Sequence, residues 1–223
     1  MMEEKVFEGL SYLISYPEGF QEDKQYPLVI FLHGAGSRAD TTKRLRKNFS
    51  LSCIRKRQDS RGFVLLAPLC SGVTWNEWMT PLVHLTDATR TLPYIDDTRI
   101  HITGNSLGGY GTWELTALRP DWFASAMPLS GGGSLAFARL LVDLPIRAFH
   151  GMRDTIVDPN ESMEMAKAVN QAGGYAELIL FPKNEHDIWE EVYDDDKNYD
   201  WLLSFTNVRE KTPIDPMVGK YYG

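Results

Sequence analysis

Three residues of the right types for one reaction stand just past three apolar runs: a serine, an aspartate and a histidine. The first run, Ile100-His101-Ile102-Thr103, leads into Gly104-Asn105-Ser106-Leu107-Gly108, and a helix-like stretch follows. Gly-Xaa-Ser-Xaa-Gly set between a strand and a helix presents its serine on a strained turn. Gly104 and Gly108 remove side chains where strand and helix cross closely. The helix start aims free N–H groups and positive dipole at whatever Ser106 attacks. The five-residue match alone is weak, since an ordinary β–α turn with Ser106 as a helix cap would show it too; its context gives it weight. A serine hydroxyl is a poor nucleophile at neutral pH and needs a base, which a third group must orient. The run Ile146 to Phe149 is followed by His150-Gly151-Met152-Arg153-Asp154, and Leu178 to Phe181 by Pro182-Lys183-Asn184-Glu185-His186-Asp187. Ser106, Asp154 and His186 thus come in a chain order known for nucleophilic triads. Asp154 is preferred as the acid because it lies three residues past the Gly151 turn. Asp158 precedes Pro159 and suits a helix cap, and Asp187 adjoins the base it would have to orient.

Further groups gather at strand ends. The buried-type run Pro27 to Leu32 ends in His33-Gly34-Ala35-Gly36-Ser37, a glycine loop able to supply a second N–H to an oxyanion hole. The run Phe63 to Pro68 opens into a loop carrying Trp75 and Trp78, either of which would wall a pocket or pack on the following helix. His33 and His150 read as structural supports at strand tips, and His101 and His84 as packing or surface residues. The histidines are scattered and no Cys-Xaa-Xaa-Cys occurs, so no metal is expected. Without a phosphate-binding Gly-Lys-Ser/Thr, no cofactor is expected either.

These groups need a scaffold, and the chain is long enough for one sizeable domain at 223 residues. A formal net charge of −7 argues against nucleic-acid partners. Cys53 and Cys70 are too few for a disulfide framework. Met1 to Phe7 is charged and lacks a signal-peptide core, and no apolar stretch is long enough for a bilayer, so a cytoplasmic, membrane-free location is expected. Strands are predicted at Val6–Tyr16, Pro27–Leu32, Gly62–Pro68, Arg99–Thr103, Phe123–Leu129, Pro145–Gly151 and Tyr175–Phe181. Helices are predicted at Leu82–Leu92, Leu107–Leu118, Glu161–Ala172 and over most of Ile188–Phe205, with one or two more in the basic stretch Arg38–Arg61. That stretch reads as a solvated helical face or as a positive rim for an anionic substrate. Asp194-Asp195-Asp196 reads as a solvated turn. Alternating strands and helices imply a mostly parallel sheet covered on both faces, with antiparallel strands at the N-terminus. Residues 1–223 form one domain in this reading, with 206–223 as a C-terminal surface arm.

From about Tyr12 to Phe205 the chain resembles the α/β-hydrolase superfamily, and within it the compact serine esterases of the predicted-peptidase and feruloyl-esterase-like group. The likeness is carried by Tyr26 to Gly36, Gly104 to Trp113, Phe149-His150-Gly151 with Asp154 and Val157, and His186-Asp187-Ile188-Trp189. It implies an α/β-hydrolase fold without a large lid. It implies Ser106 as nucleophile, His186 as general base and acid, Asp154 as orienting carboxylate, and the N–H groups of Ala35 and Leu107 as the oxyanion hole. It favours Trp75 over Trp78 as the substrate contact. Glu185 departs from the glycine common before the histidine in relatives. The expected activity is hydrolysis of small or medium esters, hydroxycinnamoyl-type esters among them, with peptidase, thioesterase or a non-catalytic binding protein as alternatives.

Overall fold

The computed structural model describes residues 2–212. Its centre is an eight-stranded sheet: β1 (Met2–Phe7), β2 (Leu10–Ser15), β3 (Tyr26–Leu32), β4 (Val64–Pro68), β5 (Ile95–Asn105), β6 (Ser125–Leu129), β7 (Ile146–Gly151) and β8 (Ala176–Phe181). The spatial order is β1-β2-β4-β3-β5-β6-β7-β8. β1 pairs antiparallel with β2, and β2 antiparallel with β4. The remaining pairs are parallel.

Period-two geometry divides each apolar run between two cores. Leu28, Ile30 and Leu32 of β3 join one cluster, with Val64 and Leu66 of β4. That face is covered by Leu82 and Leu85 of α2 (Met79–Arg90), Trp113 and Leu115 of α3 (Leu107–Leu118), and Met165 and Val169 of α4 (Asn160–Gln171). Val29, Phe31, Leu65 and Ala67 point the other way. They meet Leu51 and Ile54 of α1 (Phe49–Arg61), Val192 and Tyr193 of α5 (Trp189–Tyr193), and Tyr199 and Leu202 of α6 (Asp196–Leu202).

Three expectations change. The single strand predicted over Val6–Tyr16 spans the end of β1, a two-residue turn and β2, which together form a hairpin. Glu8 and Gly9 turn the chain with φ of 48° and 79°, the two positive values that let a two-residue loop follow strand twist. Glutamate in place of Asn or Asp hid that turn. The acidic run is also more than a solvated turn. Asp195 caps α6 by accepting from the Lys197 N–H at 2.9 Å. Asp194 and Asp196 pair with Arg57 at 2.9 and 3.1 Å, and Asp196 and Asp200 with Arg61 at 3.3 and 2.8 Å. Two cations of the basic stretch therefore hold α6 against α1. Lastly, the arm from 206 begins as a docked segment. The Asn207 N–H donates to Thr98 O, and its amide Nδ2 to the carbonyls of Asp121 and Phe123. The rest of the arm, 213–223, lies outside the described residues.

Between β6 and β7 there is only a short 3-10 segment, Leu135–Leu141, packed on α4, and no large lid. Among the described residues no helix is long and apolar enough to cross a membrane.

Candidate active site

The sheet delivers the predicted residues to one end. Ser106 closes β5 and opens α3 with φ 57° and ψ −119°, a conformation that L-residues rarely hold. Its N–H donates to Leu129 O at 2.9 Å, tying the turn to the end of β6. The crossing is tight: a Cβ on Gly108 would sit 1.8 Å from Leu32 O, and one on Gly104 2.3 Å from Gly108 O. Only glycine lets α3 start this close to β3, and the strained Ser106 backbone is held by that packing.

His186 arrives on the loop after β8. Its Nε2 lies 2.8 Å from Ser106 Oγ and its Nδ1 2.7 Å from Asp154 Oδ2. With Asp154 ionised, Nδ1 carries the proton and Nε2 is free to accept from the serine hydroxyl. The Trp189 ring stands edge-on to the imidazole, centroids 5.3 Å apart. Ser130 Oγ donates to the His186 carbonyl at 3.2 Å. Ser130 is buried and has φ 43°, so a strained residue at the end of β6 braces the backbone of the base. The acid and base loops are joined directly: Arg153 N–H donates to Asn184 O at 2.9 Å. A Cβ on Gly151 would lie 2.0 Å from Glu185 O, so glycine lets the loops meet. Glu185 is exposed.

The Asp154 side chain is fully buried. Burial pushes its carboxyl up, but hydrogen bonds from His186 and the Val157 and Ile156 N–H groups outweigh this and hold it below the ordinary aspartate value. Asp158 does what a cap residue does, accepting the Asn160 N–H at 2.9 Å.

On the opposite side lies the loop after β3. Ala35 lines the pocket, and Leu107 is the first residue of α3. Among the described residues neither N–H has a protein acceptor. His33 is buried beneath this loop. The Cys70 N–H donates to its Nε2 at 3.0 Å, so the proton sits on Nδ1, which donates to Gly34 O at 2.8 Å. Burial pushes its pKa down to about 4, so it supports the loop as a neutral ring.

The resulting pocket has a volume of about 300 Å³ and is open to solvent. Its walls include Gly34 to Ser37, Asn48, Ile156, Asp187 and Trp189. Trp75, expected as a substrate contact, is not among them. Its indole is 1 % exposed, donates to His33 O at 3.2 Å and packs against Gly111. Trp75 therefore props the glycine loop from beneath, and the aromatic wall is Trp189. Among the described residues no Lys or Arg lines the pocket, so the cations of the basic stretch do not form its walls. Ile156, Trp189, Ser130 and the buried contact of His150 went unforeseen. A serine followed by three glycines at a strand end was the available signal for Ser130. Among the described residues no group of three or more His, Cys, Asp or Glu is placed to hold a metal ion.

Sheet order and crossing geometry together define the α/β-hydrolase fold. The chain's likenesses are to esterases and peptidases of that fold. Residues 134–209, which contain Asp154 and His186, match the model of the prolyl oligopeptidase family. The chain superposes on a thermostable esterase with a TM-score of 0.78 and 27 % identity, covering 92 % of this chain and 63 % of that one. It thus spans less than two thirds of that esterase. Est1E from Butyrivibrio proteoclasticus, also solved with ferulic acid bound, matches with a TM-score of 0.70 and 17 % identity over 90 % of this chain and 97 % of Est1E. Acylaminoacyl peptidase from Pyrococcus horikoshii matches with a TM-score of 0.65 and 15 % identity, over 89 % of this chain and 39 % of that one. A comparison with curated protein sequences returns no match.

Proposed function

We propose that the protein is a serine hydrolase that cleaves small or medium carboxylic esters, aromatic acyl groups included. The observation that carries this is the unbroken chain from Ser106 Oγ through His186 to Asp154, at 2.8 and 2.7 Å, beside two backbone N–H groups with no acceptor among the described residues. Ser106 Oγ attacks the ester carbonyl carbon while His186 Nε2 takes its proton. Ionised Asp154 stabilises the imidazolium and keeps its orientation. The oxyanion is held by the Ala35 and Leu107 N–H groups, each of the kind whose removal costs ~3 kcal/mol of transition-state stabilisation. His186 then protonates the departing alcohol, the acyl group stays on Ser106, and water activated by His186 releases the acid. The open pocket walled by Trp189 and Ile156 accommodates a flat acyl group and lacks the covered tunnel a long lipid chain would require.

A peptidase with the same triad is the second reading, favoured by the prolyl oligopeptidase match over 134–209. Labelling by a fluorophosphonate probe, present in the wild type and absent in Ser106→Ala, tests the nucleophile. A panel of p-nitrophenyl esters, methyl hydroxycinnamates, acyl thioesters and aminoacyl anilides ranks the substrates. Absence of labelling and of turnover on the whole panel would refute the hydrolase; turnover confined to anilides would favour the peptidase.

A further inference from the structure

The Asp154 carboxylate carries one contact that the mechanism above does not use. Its Oδ1 accepts the N–H groups of Ile156 and Val157 at 2.8 and 2.9 Å. Its Oδ2 is shared between two histidines, His186 Nδ1 at 2.7 Å and His150 Nε2 at 3.0 Å. His150 ends no surface turn: its side chain is fully buried. The same Nε2 lies 3.1 Å from Val157 O. An ionised carboxylate and a carbonyl only accept, so Nε2 between them must carry a proton. At the other edge of the ring, Nδ1 lies 2.7 Å from Ser162 Oγ, which is also 2.7 Å from Gly131 O. Burial, the largest influence, lowers the pKa of His150 and outweighs the opposing effects of Val157 O and Asp154. Nε2 therefore carries the proton that faces Asp154, and Ser162 Oγ, whose single hydroxyl proton lies between Gly131 O and Nδ1, closes the other edge of the ring.

We propose that His150 is a positioning residue of the triad, whose Nε2–H fixes the Asp154 carboxylate and tempers its pull on the His186 imidazolium. This rests on the serine-hydrolase mechanism proposed above. A carboxylate that gives part of one oxygen to a second donor is a weaker base toward the first. Without His150, Oδ2 belongs to His186 alone. The imidazolium is then better stabilised, and the free base needed to accept the Ser106 proton persists only at higher pH. The carboxylate also loses the anchor on its Oδ2 side. Other ionisable groups near the pair are Tyr110 on α3, Glu161 on α4 and Asp187 beside the base, and none changes in the variants below.

Two substitutions separate the ring's two bonds. In His150→Asn the amide takes the place of Nδ1, keeps Ser162 as a partner and falls short of Asp154. In His150→Gln the amide nitrogen takes the place of Nε2 and can donate to Asp154. For His150→Asn, kcat on p-nitrophenyl acetate should fall by on the order of 10-fold with KM little changed. The acid limb of kcat/KM should move up by about half to one pH unit. His150→Gln should return the limb to its wild-type position and recover most of the lost kcat. An unmoved limb in His150→Asn, or an equal displacement in both variants, overturns the proposal. Should His150→Asn not fold, ring 15N NMR of the wild-type enzyme decides it: Nε2 of His150 must be protonated at pH 7, and a bare Nε2 overturns it. Fluorophosphonate labelling of the wild type keeps the two readings apart. Its failure counts against the hydrolase, whereas labelling with an unmoved acid limb counts only against the role of His150.

Discussion

Replacing Gly108 by alanine is the sharpest test of how the fold makes the site. The new Cβ would lie 1.8 Å from Leu32 O, 2.4 Å from Leu32 C and 2.9 Å from His33 O, all backbone atoms. No rotamer change relieves them, so α3 must retreat from β3 by more than an ångström. That retreat carries the Leu107 N–H and Ser106 away from Ala35 and His186. Overpacking of this kind costs about 1–3 kcal/mol of stability, which for a chain of this length lowers Tm by several degrees. A displacement of about 1 Å in reacting groups costs roughly 10²-fold in rate, so kcat/KM on p-nitrophenyl acetate should fall by about that factor. Gly62→Ala is the control. Gly62 ends α1 in the left-handed region at φ 63° with open space around its Cβ position, so alanine there costs about 1–2 kcal/mol through backbone strain alone. It should lower Tm comparably and leave kcat/KM unchanged. Thermal melts and steady-state kinetics on both variants suffice. Wild-type kcat/KM in Gly108→Ala, or an equal loss of activity in Gly62→Ala, would refute the reasoning.

Three other outcomes are expected. Asp154→Asn should reduce kcat by on the order of 10⁴, as the wrong tautomer of the base does in serine proteases, while Asp158→Asn should cost only the cap; the converse pattern in ester kinetics would displace Asp154 as the acid. Trp75→Ala should destabilise by about 3–5 kcal/mol and weaken all esters alike, whereas Trp189→Ala should raise KM most for hydroxycinnamates; a KM effect from Trp75 restricted to aromatic substrates would restore it to the pocket. Burial lowers His33 to about 4 and His101 to about 3, so the unfolded chain takes up their protons first. Stability should be full above pH ~6.5 and fall below it by about 1.4 kcal/mol per pH unit for each histidine. His150, lowered by burial as well, adds to the same trend; urea midpoints between pH 6.5 and 5 should show it, with a smaller slope in His101→Leu, and a flat wild-type profile would exclude it.

The sequence showed the sheet and its reacting end because both rest on local signals. Continuous runs such as Leu28 to Leu32 mark strands buried on two faces. The glycines around Ser106 are demanded by a crossing that leaves no room for a side chain, and the helix Leu107–Leu118 has the predicted bounds. Contacts between distant segments were hidden. Whether Trp75 turns toward the substrate or under the loop depends on its bond to His33 O, 42 residues away in sequence. The shared oxygen of Asp154 depends on where β7 and β8 place two histidines, and no spacing reveals it. Likewise the ties from Arg57 and Arg61 to Asp194, Asp196 and Asp200 turn two surface-looking charge runs into partners.

Among the described residues no large lid covers Ser106, and in the proposed reaction this bears on the fate of the acyl-enzyme. An acyl group held in a solvent-open pocket of about 300 Å³ meets bulk water from the moment it forms. In the proposed reaction water and a small alcohol would then compete for the same intermediate, and the balance between them would shift with their concentrations. In dilute aqueous solution the acid is released. In a water-poor medium rich in a small alcohol, the same intermediate would hand its acyl group to that alcohol, and the hydrolase would become a transesterification catalyst without a change of residue.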